Sequence, residues 1–250
     1  MAASKSIAQA RQVKEQPDEG VVAAIPNIED RNTEELIIAV VGPVASGSSK
    51  VADLVGSILQ HDYGYAVTRY RLSDLIRDNF SLLGESLALA NNGAKRVEDL
   101  QNAGNQLRRR FGKEYLAAKA IEKIAMWRDQ NASSKSAGGD SVPAKKRHVH
   151  ILDSLKNPAE LKLLRQTYGD IFWLVGVFAP IDVRRRRLTD QNGFSEIDLE
   201  VLIRNDYSEK EDYGQSVRDT FFQADMFVRN DQPNEVKLTG TLTRLLNTAT

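Results

Sequence analysis

The chain has no cysteine. That excludes disulfide frameworks, thiolate nucleophiles and thiolate-held metals. Net charge is also missing. Lysine plus arginine and aspartate plus glutamate number 34 each, so nothing draws the chain toward nucleic acid by charge alone. No apolar run is long enough to span a bilayer. The N-terminus carries no apolar core of a signal peptide. The three histidines, His61, His148 and His150, have neither metal nor triad spacing, and read as surface or core residues. No internal repeat is present. These absences set the expectation of a soluble, cytoplasmic protein with no membrane partner and no sequence-specific nucleic-acid partner. Its 250 residues suffice for one large or two small domains.

What is present is organised around Leu36–Leu59. Leu36-Ile37-Ile38-Ala39-Val40-Val41 is apolar and β-branched, and reads as a buried strand. Gly42-Pro43-Val44-Ala45-Ser46-Gly47-Ser48-Ser49 is a run of small and turn-forming residues. Val51, Leu54, Val55, Ile58 and Leu59 then recur at helical spacing. Strand, small-residue loop and helix is the setting of a phosphate-binding loop. Backbone N–H groups and the positive end of a helix dipole converge on an anion there. Gly42 and Gly47 have the glycine spacing of that pattern, and Ser49 stands in its magnesium-binding Ser/Thr position. Gly42, Ser46, Gly47, Ser48 and Ser49 are the phosphate-binding candidates. Ser48 occupies the lysine position, and Lys50 comes two residues late. A tight turn with no ligand is the alternative.

Residues 1–33 lack sustained periodicity and read as a flexible tail. Residues 34–250 read as one domain. Tyr65–Leu72 is a second strand, followed by a helix that Ser73 can cap. Asp74 and Arg77, three apart, share a helix face beyond a strand end, where ligands of open α/β sheets gather. An exposed ion pair is the alternative. Glu98–Arg110 and Tyr115–Arg128 read as helices. Arg108-Arg109-Arg110 reads as a solvated helix end. Residues 131–147 are rich in Gly, Ser and Lys and read as a flexible inserted loop.

Val149–Asp153 is a third strand ending in an acid, placed to reach magnesium opposite Ser49. A capping carboxylate is the alternative. Asn157-Pro158-Ala159-Glu160 has the cap, proline and glutamate of a capping box, opening a helix that stops at Gly169. Ile171–Phe178 reads as a central strand buried on both faces. Ala179-Pro180 ends it, and a helix follows with Arg184–Arg187, of which two face any ligand. Asp198–Tyr207 and Ser216–Ala224 read as helices, Met226–Arg229 as a fifth strand and Leu238–Leu246 as the last helix. Alternating strands and helices imply a three-layer α/β fold with a five-stranded parallel sheet.

In this order the motifs resemble the nucleoside-monophosphate-kinase-like P-loop proteins, the adenylate kinase and dephospho-coenzyme A kinase group, over about Glu35–Leu246. The resemblance implies a nucleoside triphosphate with Mg2+. It places Asp74 and Arg77 at a monophosphate acceptor, Ser49 and Asp153 at the metal, and Arg184 and Arg187 in an arginine-bearing lid. Asp74, Arg184 and Arg187 are thus the catalytic candidates. Arg77 and Asn157 are the substrate-binding candidates.

Further details are similar to the P-loop domain fused to deoxycytidylate-deaminase-like proteins of bacterial phage defence. These are the Gly-Pro-Val loop start, Ser48, Leu155–Glu160, Gly214-Gln215, and Ala224-Asp225 with Asn230. The chain has no cysteine for that deaminase's zinc, so deamination is not implied. Two active readings result. One is a (deoxy)nucleotide kinase. The other is a nucleotide sensor of little turnover that signals to a partner protein or oligomer. A scaffold that binds no nucleotide is the third.

Overall fold

The computed structural model describes residues 33–90, 93–132, 147–192, 194–195, 199–200, 214, 216–231 and 234–250. The expected tail, nearly all of the 131–147 insertion and most of the Asp198–Tyr207 helix lie outside the described residues.

The sheet contains β1 (Glu35–Val41), β2 (Ala66–Arg71), β3 (His148–Asp153), β4 (Phe172–Phe178) and β5 (Met226–Arg229). All neighbours run parallel, in the order β2-β3-β1-β4-β5. The helices are α1 (Ser48–His61), α2 (Leu72–Asn79), α3 (Gly93–Phe111), α4 (Tyr115–Ala132), α5 (Pro158–Tyr168), α6 (Ile181–Asn192), α7 (Val217–Phe221) and α8 (Glu235–Leu246). This is the expected three-layer α/β architecture.

β1 explains the layering. Its side chains alternate between faces, as a pleated strand requires. Ile37, Ala39 and Val41 join a core with residues of α2, α3, α4 and α5. Leu36, Ile38 and Val40 join a second core with α1 and α8. Leu36 through Val41 are all 0 % exposed, so this strand is covered on both sides. Register then brings Asp153 of β3 beside Val40, and Arg71 of β2 beside Asp153. The C-terminal ends of β1, β2 and β3 therefore share one edge of the sheet. Among the described residues, no helix is long and apolar enough to cross a membrane.

Two local expectations are corrected. Ser73 does not cap α2. The helix starts at Leu72, directly out of β2, and its N-cap position is Arg71, without a side-chain cap. Buried Leu72 fixes that start, so the turn a serine cap would follow is absent. Nor is Arg108 solvated. It is 2 % exposed, and its Nε donates to Glu160 Oε1 at 2.8 Å. Arg109 and Arg110 are exposed. The helical turn points one arginine of three inward, toward the α5 carboxylate.

The α5 start is as the sequence indicated. Asn157 Oδ1 accepts from Ala159 N at 2.8 Å, Glu160 reaches back to Asn157 N, and Pro158 opens the helix. Gly169, at φ 53°, ends it.

Candidate functional site

The loop between β1 and α1 is held from outside by its carbonyls. Gly42 O accepts from Lys156 Nζ at 3.0 Å. Pro43 O accepts from Ser46 N, also at 3.0 Å. Val44 O accepts from Arg184 Nε at 2.8 Å. Arg187 Nη1 donates to Ala45 O at 3.1 Å and to Ser46 O at 3.2 Å. Asn230 Nδ2 also donates to Ser46 O, at 2.9 Å. Gly47 O accepts from Val51 N within the first turn of α1. Every carbonyl from Gly42 to Gly47 thus has a donor. The N–H groups of Gly47, Ser48 and Ser49 meet no acceptor among the described residues. They open α1, whose dipole adds partial positive charge at the same place.

The backbone is bent to suit. Ala45 (φ 62°) and Gly47 (φ 85°) are both left-handed, a conformation that costs a residue with a Cβ about 1–2 kcal/mol. Alternating hands around Ser46 curl successive N–H groups into a concave nest. Ser46 Oγ is fully buried inside this curl and has no hydrogen-bond partner. A Cβ on Gly42 would lie 2.4 Å from it, and a Cβ on Gly47 would lie 2.1 Å from Asn230 Nδ2. Both glycines are therefore required by contact, and Gly47 by conformation too. Val44 and Ala45 pack against an apolar cluster of Leu188, Phe194 and Leu199, with Ala94 and Val97 of α3.

At the far end of the loop, Ser49 Oγ donates to Asp153 Oδ2 at 2.9 Å and Oδ1 at 3.2 Å. Arg69 Nη2 donates to Asp153 Oδ2 at 2.6 Å, and Ser154 Oγ to Oδ1 at 2.9 Å. Arg69 also pairs with Asp53. Among the described residues, no three His, Cys, Asp or Glu side chains gather to hold a metal. One hydroxyl beside one carboxylate instead fits magnesium. That ion keeps several waters and takes much of its shell from phosphate oxygens. Ser49 and Asp153 are the residues that would hold it.

No protein-family model matches the chain. A UPF0200 protein of Methanosarcina barkeri (strain Fusaro / DSM 804) is 24 % identical over 169 residues, 68 % of this chain and 73 % of that protein. Among solved structures, the chain is similar to a shikimate kinase from Bacteroides thetaiotaomicron, with 14 % identity and a TM-score of 0.48 over 85 % of this chain and 96 % of that one. It is similar to the Mycobacterium tuberculosis APS kinase CysC, with 17 % identity and a TM-score of 0.44 over 86 % and 98 %. It is also similar to a gluconokinase from Sinorhizobium meliloti 1021, with 15 % identity and a TM-score of 0.40 over 87 % and 96 %.

The remaining candidates fall into two groups. Arg184 and Arg187 reach the loop, while Arg185 and Arg186 are exposed. Burial pushes the Arg187 guanidinium below its ordinary pKa, Arg186 adds to this, and Asp231 opposes it. Asp74 and Arg77 pair with each other on α2, and no hydrogen bond among the described residues joins them to the loop. Asn157 is buried. Its amide oxygen caps α5 and its Nδ2 donates to Gly214 O at 2.8 Å, both contacts within the chain.

Sequence reasoning did not single out Lys156, Arg69 or Asn230 as site residues. Each lies at or just beyond the C-terminal part of a sheet strand, and Leu155–Glu160 and Asn230 were already among the features of the phage-defence resemblance; these were the available signals. Lys50 turns away from the loop and pairs with Glu235 at 2.7 Å.

Proposed function

We propose that the chain is a nucleotide-binding protein. It holds a (deoxy)nucleoside triphosphate with Mg2+ in the loop of residues 42–49, and a monophosphate acceptor toward Asp74 and Arg77. The observation that carries the reading is the loop's polarity. Every carbonyl from Gly42 to Gly47 has a donor, four of the six from side chains outside the loop, and the unpartnered N–H groups of Gly47, Ser48 and Ser49 open a 14-residue helix. Such a nest prefers an anion. Arg184 and Arg187 add positive charge next to it, and a phosphate there would offset the burial that disfavours the charged form of Arg187. Arginine forks suit phosphate oxygens.

Arg77 serves the acceptor phosphate in this reading, because α2 follows the end of β2 on the sheet edge that carries Asp153. The activity is phosphoryl transfer to that acceptor; Ser49 and Asp153 would hold magnesium, which would supply charge neutralisation to the phosphates.

Ser48 favours a second reading. A loop with serine in the lysine position binds phosphate by its backbone but lacks the ammonium over the transferring group. A sensor that closes on nucleotide and signals to a partner, as in the phage-defence resemblance, needs binding and not turnover. Thermal-shift and calorimetric titration with nucleoside mono- and triphosphates, with and without Mg2+, tests both. Magnesium-dependent triphosphate binding is expected. Arg77→Ala is expected to weaken monophosphate binding alone, by about 1.5–3 kcal/mol. Absence of all nucleotide binding would leave only the scaffold.

A further inference from the structure

The loop lacks a lysine of its own, yet a lysine ammonium sits on it. Lys156 lies in the turn between β3 and α5, 114 residues beyond the loop, and its Nζ donates to Gly42 O at 3.0 Å. Three residues earlier, Asp153 of the same segment holds Ser49 Oγ at the other end of the loop. The β3–α5 segment therefore touches the first and the last residue of the 42–49 run.

That segment is fixed. Leu155 is fully buried, and its N–H donates to Val40 O at 2.9 Å. Ser216 N donates to Lys156 O at 3.1 Å. Asn157 is pinned by the capping box and by Gly214. An ammonium on such a support approaches the loop with little left to order on binding. The neighbouring cations also have partners. Arg184 and Arg187 hold Val44, Ala45 and Ser46 by their carbonyls, Arg69 holds Asp153 and Asp53, and Lys50 holds Glu235. A second observation concerns the same loop. Ser46 Oγ, in the same loop, is buried and unpartnered, and lies 2.4 Å from where a Cβ on Gly42 would be.

We propose that Lys156 is the phosphate-binding cation of this loop, taking the place of the lysine that Ser48 replaces. In the ligand-free loop its ammonium rests on Gly42 O. When a triphosphate enters, Nζ donates to its terminal phosphate oxygens. A lysine ammonium has three donors, so the bond to Gly42 O and a phosphate bond are compatible. The inference rests on reading the loop as a nucleotide site.

Calorimetric titration with ATP and Mg2+ tests it, alongside melting of the ligand-free proteins. Lys156→Gln is expected to bind ATP about 10- to 100-fold more weakly, the range for a lost hydrogen bond to a charged group. The loss should shrink from tri- to di- to monophosphate, a gradient that a merely loosened loop would not give. Lys156→Arg keeps the charge and should retain most of the affinity. Ser48→Lys/Lys156→Gln should recover it, because the ammonium returns from the loop itself. Wild-type affinity in Lys156→Gln would overturn the proposal. So would a loss equal for all three phosphates, or one that Ser48→Lys fails to restore. A wild type that binds no nucleotide would instead remove the nucleotide reading, and the Lys156 role with it.

Discussion

Asn230 Nδ2 donates to Ser46 O at 2.9 Å, across 184 residues of sequence. Its backbone N–H is held by Phe178 O at 2.7 Å, so the end of β5 is tied both to β4 and to the loop after β1. The same amide leaves no room for a side chain on Gly47. The loop's shape is therefore enforced by residues from the ends of several strands. Asn230→Ala is expected to lower stability by about 1 kcal/mol, the worth of one hydrogen bond, and to weaken triphosphate binding further by loosening the curl at Ser46. Urea unfolding and calorimetry check the two effects. Unchanged affinity would mean the curl is held without this amide.

The buried pair of Arg108 and Glu160 joins α3 to the start of α5, which carries the fixed end of the Lys156 segment. Arg108→Ala leaves Glu160 without its cation in the core, and should cost about 3–5 kcal/mol. Arg108→Met/Glu160→Gln removes both charges and keeps a capping side chain, so it should recover much of that loss. Denaturant unfolding of the single and double variants measures it. A cost below ~1 kcal/mol for Arg108→Ala would contradict a buried charged pair.

A pH dependence is expected at the opposite, N-terminal end of β1 and β3. Burial and neighbouring His150 push the His148 pKa down to about 4, with Glu35 opposing. His148 is 7 % exposed and stacks on Trp127 at 3.8 Å between ring centroids. Its folded pKa lies below the unfolded value near 6.5, so the unfolded chain binds more protons between those values. Stability therefore falls as pH drops from about 6.5 to 4, by on the order of 2 kcal/mol or roughly 4–8 °C of melting temperature. Glu35 acts lower. Burial raises its pKa, but the His150 ring, 3.2 Å away, and the hydrogen-bonded Arg128 guanidinium outweigh that and bring it to about 2. Its contribution is present above about 4.5 and lost as pH falls toward 2. His148→Gln should flatten the melting curve between pH 6.5 and 4.5. A slope equal to wild type would place the titration elsewhere.

Much of this was legible because it is local. The Asn157-Pro158-x-Glu160 box, the Gly169 stop, the glycine pair at 42 and 47, and the apolar run of β1 each follow from neighbours in the chain. What was not legible depends on reach between distant segments. Nothing near Arg108 says that Glu160 lies opposite, so a triple arginine reads as a solvated end. Ser73 is a good cap by composition, and loses to a helix that leaves β2 without a turn. Lys156 and Asn230 enter the sequence reading only as parts of a resemblance, and their contacts to the loop appear once the parallel sheet brings several strand ends together.

Ser48→Lys separates the two active readings. The added ammonium should tighten triphosphate binding, since it enters where the phosphate-loop pattern places a cation. A rise in monophosphate phosphorylation with it marks a transferase that uses the acceptor geometry. Tighter binding with no product marks a sensor. Weaker binding at an unchanged melting temperature would contradict the placement of phosphate over this loop.

The most direct measurement is calorimetric titration of a magnesium–nucleoside triphosphate into the wild type and Gly47→Val. Valine at φ 85° is strained, and its Cβ meets Asn230, yet a cost of about 1–2 kcal/mol for the left-handed backbone leaves most domains folded. Saturable one-site binding by the wild type, and none by a variant that still melts cooperatively, is the predicted result. Equal affinity in the two proteins, or no heat of binding with the wild type, would contradict a nucleotide site in the loop of residues 42–49.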